Sequence, residues 1–375
     1  RDTVKRCRRY LRATDADIFI YGVQPNTALQ GVFVSTVDFT TENWTEPSIA
    51  GRAGFADLMT VAVRGIGSGR RGWVRRSNVS GSAGDAPVLV GTNVESFEPD
   101  IGTETTGAFL SKRWCIVYTG ATSPTNTDIF QRVVDQNGPV NNSYRITNSL
   151  QNDRSPSVAE STGPSSASFA PRFRVAFRRE GTIIDEVFVR HFERDGGPAP
   201  GSFRVAPTRN TLGVSIAGPN ESTLADGRSP FLVTFDTESS GDRDVLVATC
   251  VEGGVVGDVV NLSEMSDEGR DFDQSAPDVS ASRTQWIVTY QERSTTFADS
   301  RLVLCSGDVA GNEFGLGERR KFFAMPGDQA GPSTATLWEG SDTSATALTG
   351  LTCWTNRSGG TSTEGACVAS IGLPV

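Results

Sequence analysis

Apolar residues alternate with polar ones in short runs along the chain, as in Trp114-Ile116-Tyr118, Phe173-Val175-Phe177, Phe231-Val233-Phe235 and Trp286-Val288-Tyr290. Met59-Val61-Val63 follows the same pattern more loosely. A period of two predicts half-buried strands. After a polar turn a second strand follows, often opened by Asp: Asp17-Ile18-Phe19, Asp128-Ile129-Phe130, Asp185-Glu186-Val187-Phe188 and Asp244-Val245-Leu246. A Gly-rich turn such as Asp195-Gly196-Gly197 or Gly253-Gly254 then leads to a further short strand, as at Tyr144-Arg145-Ile146. No long segment carries a helical period.

About a dozen residues ahead of each aromatic run stands Pro, a small or acidic residue, Ile or Val, and a small residue. The copies are Pro47-Ser48-Ile49-Ala50, Pro99-Asp100-Ile101-Gly102, Pro156-Ser157-Val158-Ala159 and Pro277-Asp278-Val279-Ser280, with degenerate ones at Val214-Ser215-Ile216-Ala217 and Pro332-Ser333-Thr334-Ala335. Their first positions are separated by 52, 57, 58, 63 and 55 residues. Four short strands per unit of this length predict an all-β fold, a β-propeller of four-stranded antiparallel blades. With strands lettered a to d outwards from the axis, the motif is assigned to b, the aromatic run to c and the Asp-opened strand to d. The aromatic side chains are then core residues stacked between blades, not a ligand platform. Counting units gives six complete blades, and counting Asp-opened strands leaves a seventh open. Residues 1–14 read as a basic arm or partial blade, and 15–375 as one propeller domain.

Composition bounds the setting. The net charge of −9 argues against a nucleic-acid or anionic-membrane binder, which needs a positive footprint. Arg1, Lys5, Arg6, Arg8, Arg9 and Arg12 form a local exception, read as a solvated tail or a docking arm for an acidic protein partner. No apolar stretch reaches the length of a membrane span. The chain opens on Arg1, which fits processing from a precursor or excision from a longer chain. The six cysteines form no zinc pattern. Cys353 and Cys367 lie equally far from the Gly359-Gly360 hairpin tip, which predicts a disulfide across antiparallel strands and with it an extracytoplasmic location. Sequons occur at Asn43, Asn78, Asn141, Asn220, Asn261 and Asn356.

Catalytic signatures are mostly missing. His191 is the one histidine, with no marked nucleophile nearby, and reads as structural or exposed. No G-x-S-x-G elbow, P-loop, H-E-x-x-H or sialidase-type Asp box is present. Asp267, Asp271 and Asp273 alternate near Gly269, a spacing that suits calcium, although a solvated acidic loop is the plainer reading.

The run Asp128-Ile129-Phe130-Gln131-Arg132-Val133-Val134-Asp135-Gln136-Asn137-Gly138, followed by Ser155-Pro156-Ser157-Val158-Ala159 and Phe173-Arg174-Val175-Ala176-Phe177, resembles the blade repeats of secreted bacterial β-propeller-like proteins. Such repeats are often appended to exported enzymes or found in large surface proteins. The resemblance covers most of the chain and implies a secreted propeller, without transferring any catalytic residue. The expectation is a non-enzymatic scaffold or adhesion module that binds a protein or glycan partner. The alternative is a polysaccharide-active propeller, a lyase or hydrolase using acid, Arg and Tyr groups that face the channel.

Overall fold

The computed structural model describes residues 18–22, 32–37, 44–51, 57–64, 69–78, 88–91, 95–103, 113–159, 172–193, 195–218, 230–239, 241–263, 272–281, 285–294, 300–310, 313–322, 328–336, 349–357 and 364–372. Among the described residues, six antiparallel sheets follow one another along the chain, each built outwards in sequence order. The second sheet shows the plan: Ser96–Thr103 innermost, then Arg113–Ser123 and Asn126–Asp135, with Gly138–Pro139 and Tyr144–Arg145 on the outer edge. Among the described residues the last sheet has three strands, Asp328–Thr336, Thr349–Arg357 and Glu364–Gly372. Ile18–Gly22 and Val32–Val37 form a separate two-stranded sheet ahead of the first blade. The innermost strands pack beside one another in chain order. The protein is a β-propeller.

The hydrophobic cores lie between successive sheets. One joins Met59, Val61 and Val74 of the first sheet to Ile101, Trp114, Ile116 and Tyr118 of the second. The next joins Cys115, Val117 and Ile129 to Phe173, Val175 and Phe177 of the third. Phe231, Val233 and Phe235 then face the third sheet, and Trp286, Val288 and Tyr290 face the fourth. The aromatic strands are therefore buried on both faces. Their alternation records large residues aimed at the preceding blade and smaller ones at the following blade, rather than an apolar face opposite a wet one.

The strand lettering shifts inwards by one. The Pro motif forms the innermost strand, the aromatic run the second and the Asp-opened strand the third. Proline supplies no N–H to a ladder and so belongs on an edge strand, and the innermost strand is the inner edge of its sheet. In the first, second, third, fifth and sixth sheets the pairing register slips across the motif proline, between Thr45 and Ser48, Phe97 and Asp100, Arg154 and Ser157, Ser275 and Asp278, and Ala330 and Ser333. The residue before the proline adopts positive φ at Glu46, Glu98, Ser155 and Ala276. The fourth copy, without proline, pairs in unbroken register.

The motif's second residue ties neighbouring blades together. Asp100 accepts hydrogen bonds from Ser48 Oγ of the preceding blade at 2.8 Å and from Ser157 Oγ and Val158 N of the following blade at 3.1 and 2.9 Å. Ser157 Oγ accepts from Ile216 N at 3.4 Å, and Ser215 Oγ donates to Asp278 at 2.7 Å. The motif's last residue is small because inner strands approach closely: a Cβ on Gly102 would meet the Ala159 and Val158 carbonyl oxygens at 3.1 and 3.2 Å.

Candidate functional site

The inner strands all begin at one end of the molecule, where the hairpins between second and third strands also turn. Here a cavity of about 600 Å³ opens between the first three blades. Arg70, Glu95 and Phe97 line one side, the hairpin at 121–127 another, and Asn152 and Arg154 the third. Asp128 holds the wall in place. This buried carboxylate accepts from Thr147 Oγ1 at 2.9 Å, Ser149 N at 3.2 Å and the Arg145 guanidinium, which pins the connection into the third blade. Asp185 repeats the arrangement one blade on through Gly181 N and Thr211 N, both at 3.1 Å. The Asp that opens the third strand is thus a loop anchor.

Arg70 stands over the Phe97 ring at 4.7 Å, and Arg154 at 5.7 Å. Arg70 pairs with Glu95 at 3.1 Å and with Glu46 at 3.6 Å. Arg154 reaches Glu180 at 3.4 Å, an ion pair whose geometry falls short of a hydrogen bond. Glu180 also receives Arg178 at 2.7 Å and Asn152 Nδ2 at 3.0 Å. Beside this cluster the two positive-φ glutamates are linked, with the Glu98 backbone N–H donating to Glu46 Oε2. Glu98 Oε2 accepts from Thr119 Oγ1 at 2.8 Å and from Ser155 N at 2.9 Å. One inner end therefore collects carboxylates, guanidiniums, amides and hydroxyls from three blades. Such groups can bind sugar hydroxyls and transfer protons.

The residues singled out in the sequence lie elsewhere. His191 is buried toward the far end of its strand, packed at 6.2 Å from the Phe203 ring and 5.9 Å from the Phe231 ring. Tyr118 is buried and bonded to Ser143, and burial pushes its hydroxyl above its ordinary range. Neither lines the cavity. Asp267 and Asp271 lie outside the described residues, as does the basic arm from Arg1 to Arg12, while Asp273 pairs with Arg293 in the fifth sheet. No group of three candidate metal ligands occurs among the described residues. The last hairpin pairs Cys353 with Val368 and Cys367 with Trp354, one step from direct opposition, and the two cysteine side chains lie outside the described residues. Cys115 and Cys250 are buried free thiols, and Cys305 is buried as well. No helix among the described residues is long and apolar enough to cross a membrane.

Glu46 and Glu98 escaped the sequence reading. Their one signal is position: each directly precedes a motif proline, where later blades carry Ser155 and Ala276. Arg70 and Arg154 carried no signal at all.

No protein-family model and no curated protein matches the chain. Solved structures similar to it include a GH43 endo-arabinanase from Bacillus licheniformis (12% identity over 74% of this chain and 93% of that one, TM-score 0.34). A GH62 α-L-arabinofuranosidase catalytic domain from Coprinopsis cinerea is similar at 11% identity over 75% of this chain and 91% of that one, with a TM-score of 0.37. The Hadza microbial sialidase Hz136 is similar at 8% identity over 79% and 60%, with a TM-score of 0.45. These neighbours are enzymes of glycan cleavage by title, so the expectation of a non-enzymatic scaffold or adhesion module is corrected in favour of its alternative. At such low identity no residue role passes from them to this chain.

Proposed function

We propose that the chain is a polysaccharide-active propeller that hydrolyses glycosidic bonds at the inner end of its first three blades. The observation that carries this reading is the cavity of about 600 Å³ lined by Glu95, with Glu46 tied to the lining Arg70 and Glu98 tied to Glu46. Hydrolysis of a glycosidic bond asks for one carboxyl group to protonate the leaving oxygen and a second carboxylate to activate water or attack. Glu98, which unlike Glu46 and Glu95 pairs with no cation among the described residues, is assigned the proton transfer. Glu46 and Glu95, which share Arg70, suit the charged role. Elimination by a lyase is the weaker alternative, because neither Tyr nor His lines the cavity among the described residues. A polymeric glycan substrate fits a protein that works outside the cytoplasm, as the resemblance to secreted bacterial propellers also implies.

The test is a turnover screen on neutral and acidic polysaccharides, read by release of reducing ends. We expect turnover by the wild type and a loss of about 100-fold or more in Glu98→Gln. Turnover that survives Glu46→Gln, Glu95→Gln and Glu98→Gln alike places the chemistry elsewhere.

A further inference from the structure

Charge is uneven on the cavity lining, where two guanidiniums, Arg70 and Arg154, stand against one carboxylate, Glu95. Arg70 is held twice, by Glu95 at 3.1 Å and by Glu46 at 3.6 Å. Arg154 is held loosely. Its one ion pair among the described residues is to Glu180 at 3.4 Å, and its Nε is buried without a hydrogen-bond partner. Glu180 does not depend on that pair, because Arg178 donates to its Oε1 at 2.7 Å and Asn152 Nδ2 to its Oε2 at 3.0 Å. Both lining guanidiniums lie over the Phe97 ring, Arg70 at 4.7 Å and Arg154 at 5.7 Å, so the two positive charges share one cavity-lining ring.

We propose that Arg154 binds the carboxylate of an anionic sugar, so that the site takes uronate-bearing glycans in preference to uncharged ones. The inference rests on the glycan-hydrolase reading and names its substrate class. A carboxylate matches the planar fork of a guanidinium, and the charge-assisted pair is stronger than a hydrogen bond between neutral groups. Arg154 can turn from Glu180 to a ligand at little cost, since Glu180 keeps Arg178 and Asn152. Arg70 lacks this freedom, because its departure strips the half-buried Glu95 of its guanidinium. The exposed Ser123 and Thr125 hydroxyls on the same lining serve the hydroxyls of the sugar. An uncharged sugar makes only these last contacts and leaves Arg154 unused.

Calorimetric titration of the whole chain with size-matched neutral and uronate oligosaccharides tests this, alongside the turnover screen. The expected result is uronate ligands bound about tenfold more tightly, equivalent to about 1.4 kcal/mol. Arg154→Gln should cut that preference to about twofold or less. Methyl esters of the same uronates, which lose the charge at nearly the same size, should bind the wild type no more tightly than neutral ligands do. The ester arm needs no variant and decides the matter should Arg154→Gln fail to fold. Uronates bound no more tightly than neutral ligands by the wild type overturn the selectivity and leave the hydrolase reading to the turnover screen. A preference that survives Arg154→Gln, or esters that bind as the free acids do, overturns recognition of the carboxylate by Arg154. Preferential uronate binding without turnover of any glycan supports the selectivity and overturns the hydrolase reading. No binding or turnover of any glycan overturns both.

Discussion

Asp100 touches three blades at once, its own and the two beside it, through Ser48, Ser157 and Val158. It is fully buried, so its removal leaves three donors in a dry interface. Asp100→Ala should cost on the order of 3 kcal/mol, read as a shift in the urea midpoint. A loss no larger than that of a surface substitution refutes the clasp. Two other buried carboxyls give a pH signature. Burial raises Asp236 above the ordinary carboxylate range against the opposing Leu212, Gly213 and Ala276 N–H groups and Arg243. Burial raises Asp153 in the same way against Arg179. A folded value above the unfolded one means stabilisation that is fully present below the unfolded value and is lost as pH rises through the folded value. The stability of wild type relative to Asp236→Asn should therefore fall as pH climbs from acid through the carboxylate range. A difference that stays flat with pH contradicts this. Asn141 carries a third residue-scale expectation. Its Oδ1 accepts from Val133 N at 2.9 Å and its Nδ2 donates to Asp195 O at 3.0 Å, so its sequon should stay unmodified in a glycosylating host, as peptide mass mapping would show.

At the scale of the element, the inner strand is where pattern and structure diverged. Pro, a Ser or Asp, Ile or Val and a small residue were legible as a repeat, but not as the inner edge. Which strand of a sheet faces the axis depends on pairing order, and a period-two pattern is silent on that. Proline chemistry held the clue, since an edge strand tolerates a missing N–H. The slip at Pro47, Pro99, Pro156 and Pro277 turns the preceding residue into the left-handed region, at φ 52 for Ala276 and φ 51 for Glu98. A β-branched side chain is disfavoured there, so Ala276→Val should lose roughly 1–3 kcal/mol, whereas Ala276→Gly should lose none. Equal thermal midpoints for the two variants would count against a strained position. The same geometry links Glu98 to Glu46, which pairs with the cavity-lining Arg70, and no catalytic motif encodes that link.

For the whole molecule, stability comes from cores shared between blades, so a blade has no complete core of its own. Cys115, Cys250 and Cys305 sit inside these shared cores, and burial pushes the Cys115 and Cys250 thiols well up. Thiol reagents should label Cys115 and Cys250 only on unfolding, and peptide mapping after native labelling checks it. Labelling at native pH without loss of structure would mean that single blades open on their own.

The chain by itself determined the repeat, the strand types, the buried aromatic runs and the all-β propeller, because each rests on side-chain pattern within a few neighbouring residues. The loop-anchoring Asp was legible as a residue, though not as an anchor. Only the tertiary structure decided that the motif lies innermost, that Asp100 clasps three blades, and that Arg70, Arg154, Glu46, Glu95 and Glu98 meet at one end. Those residues are drawn from three repeats some fifty residues apart. Contacts across that distance are set by how blades stack around an axis, and no local spacing encodes them.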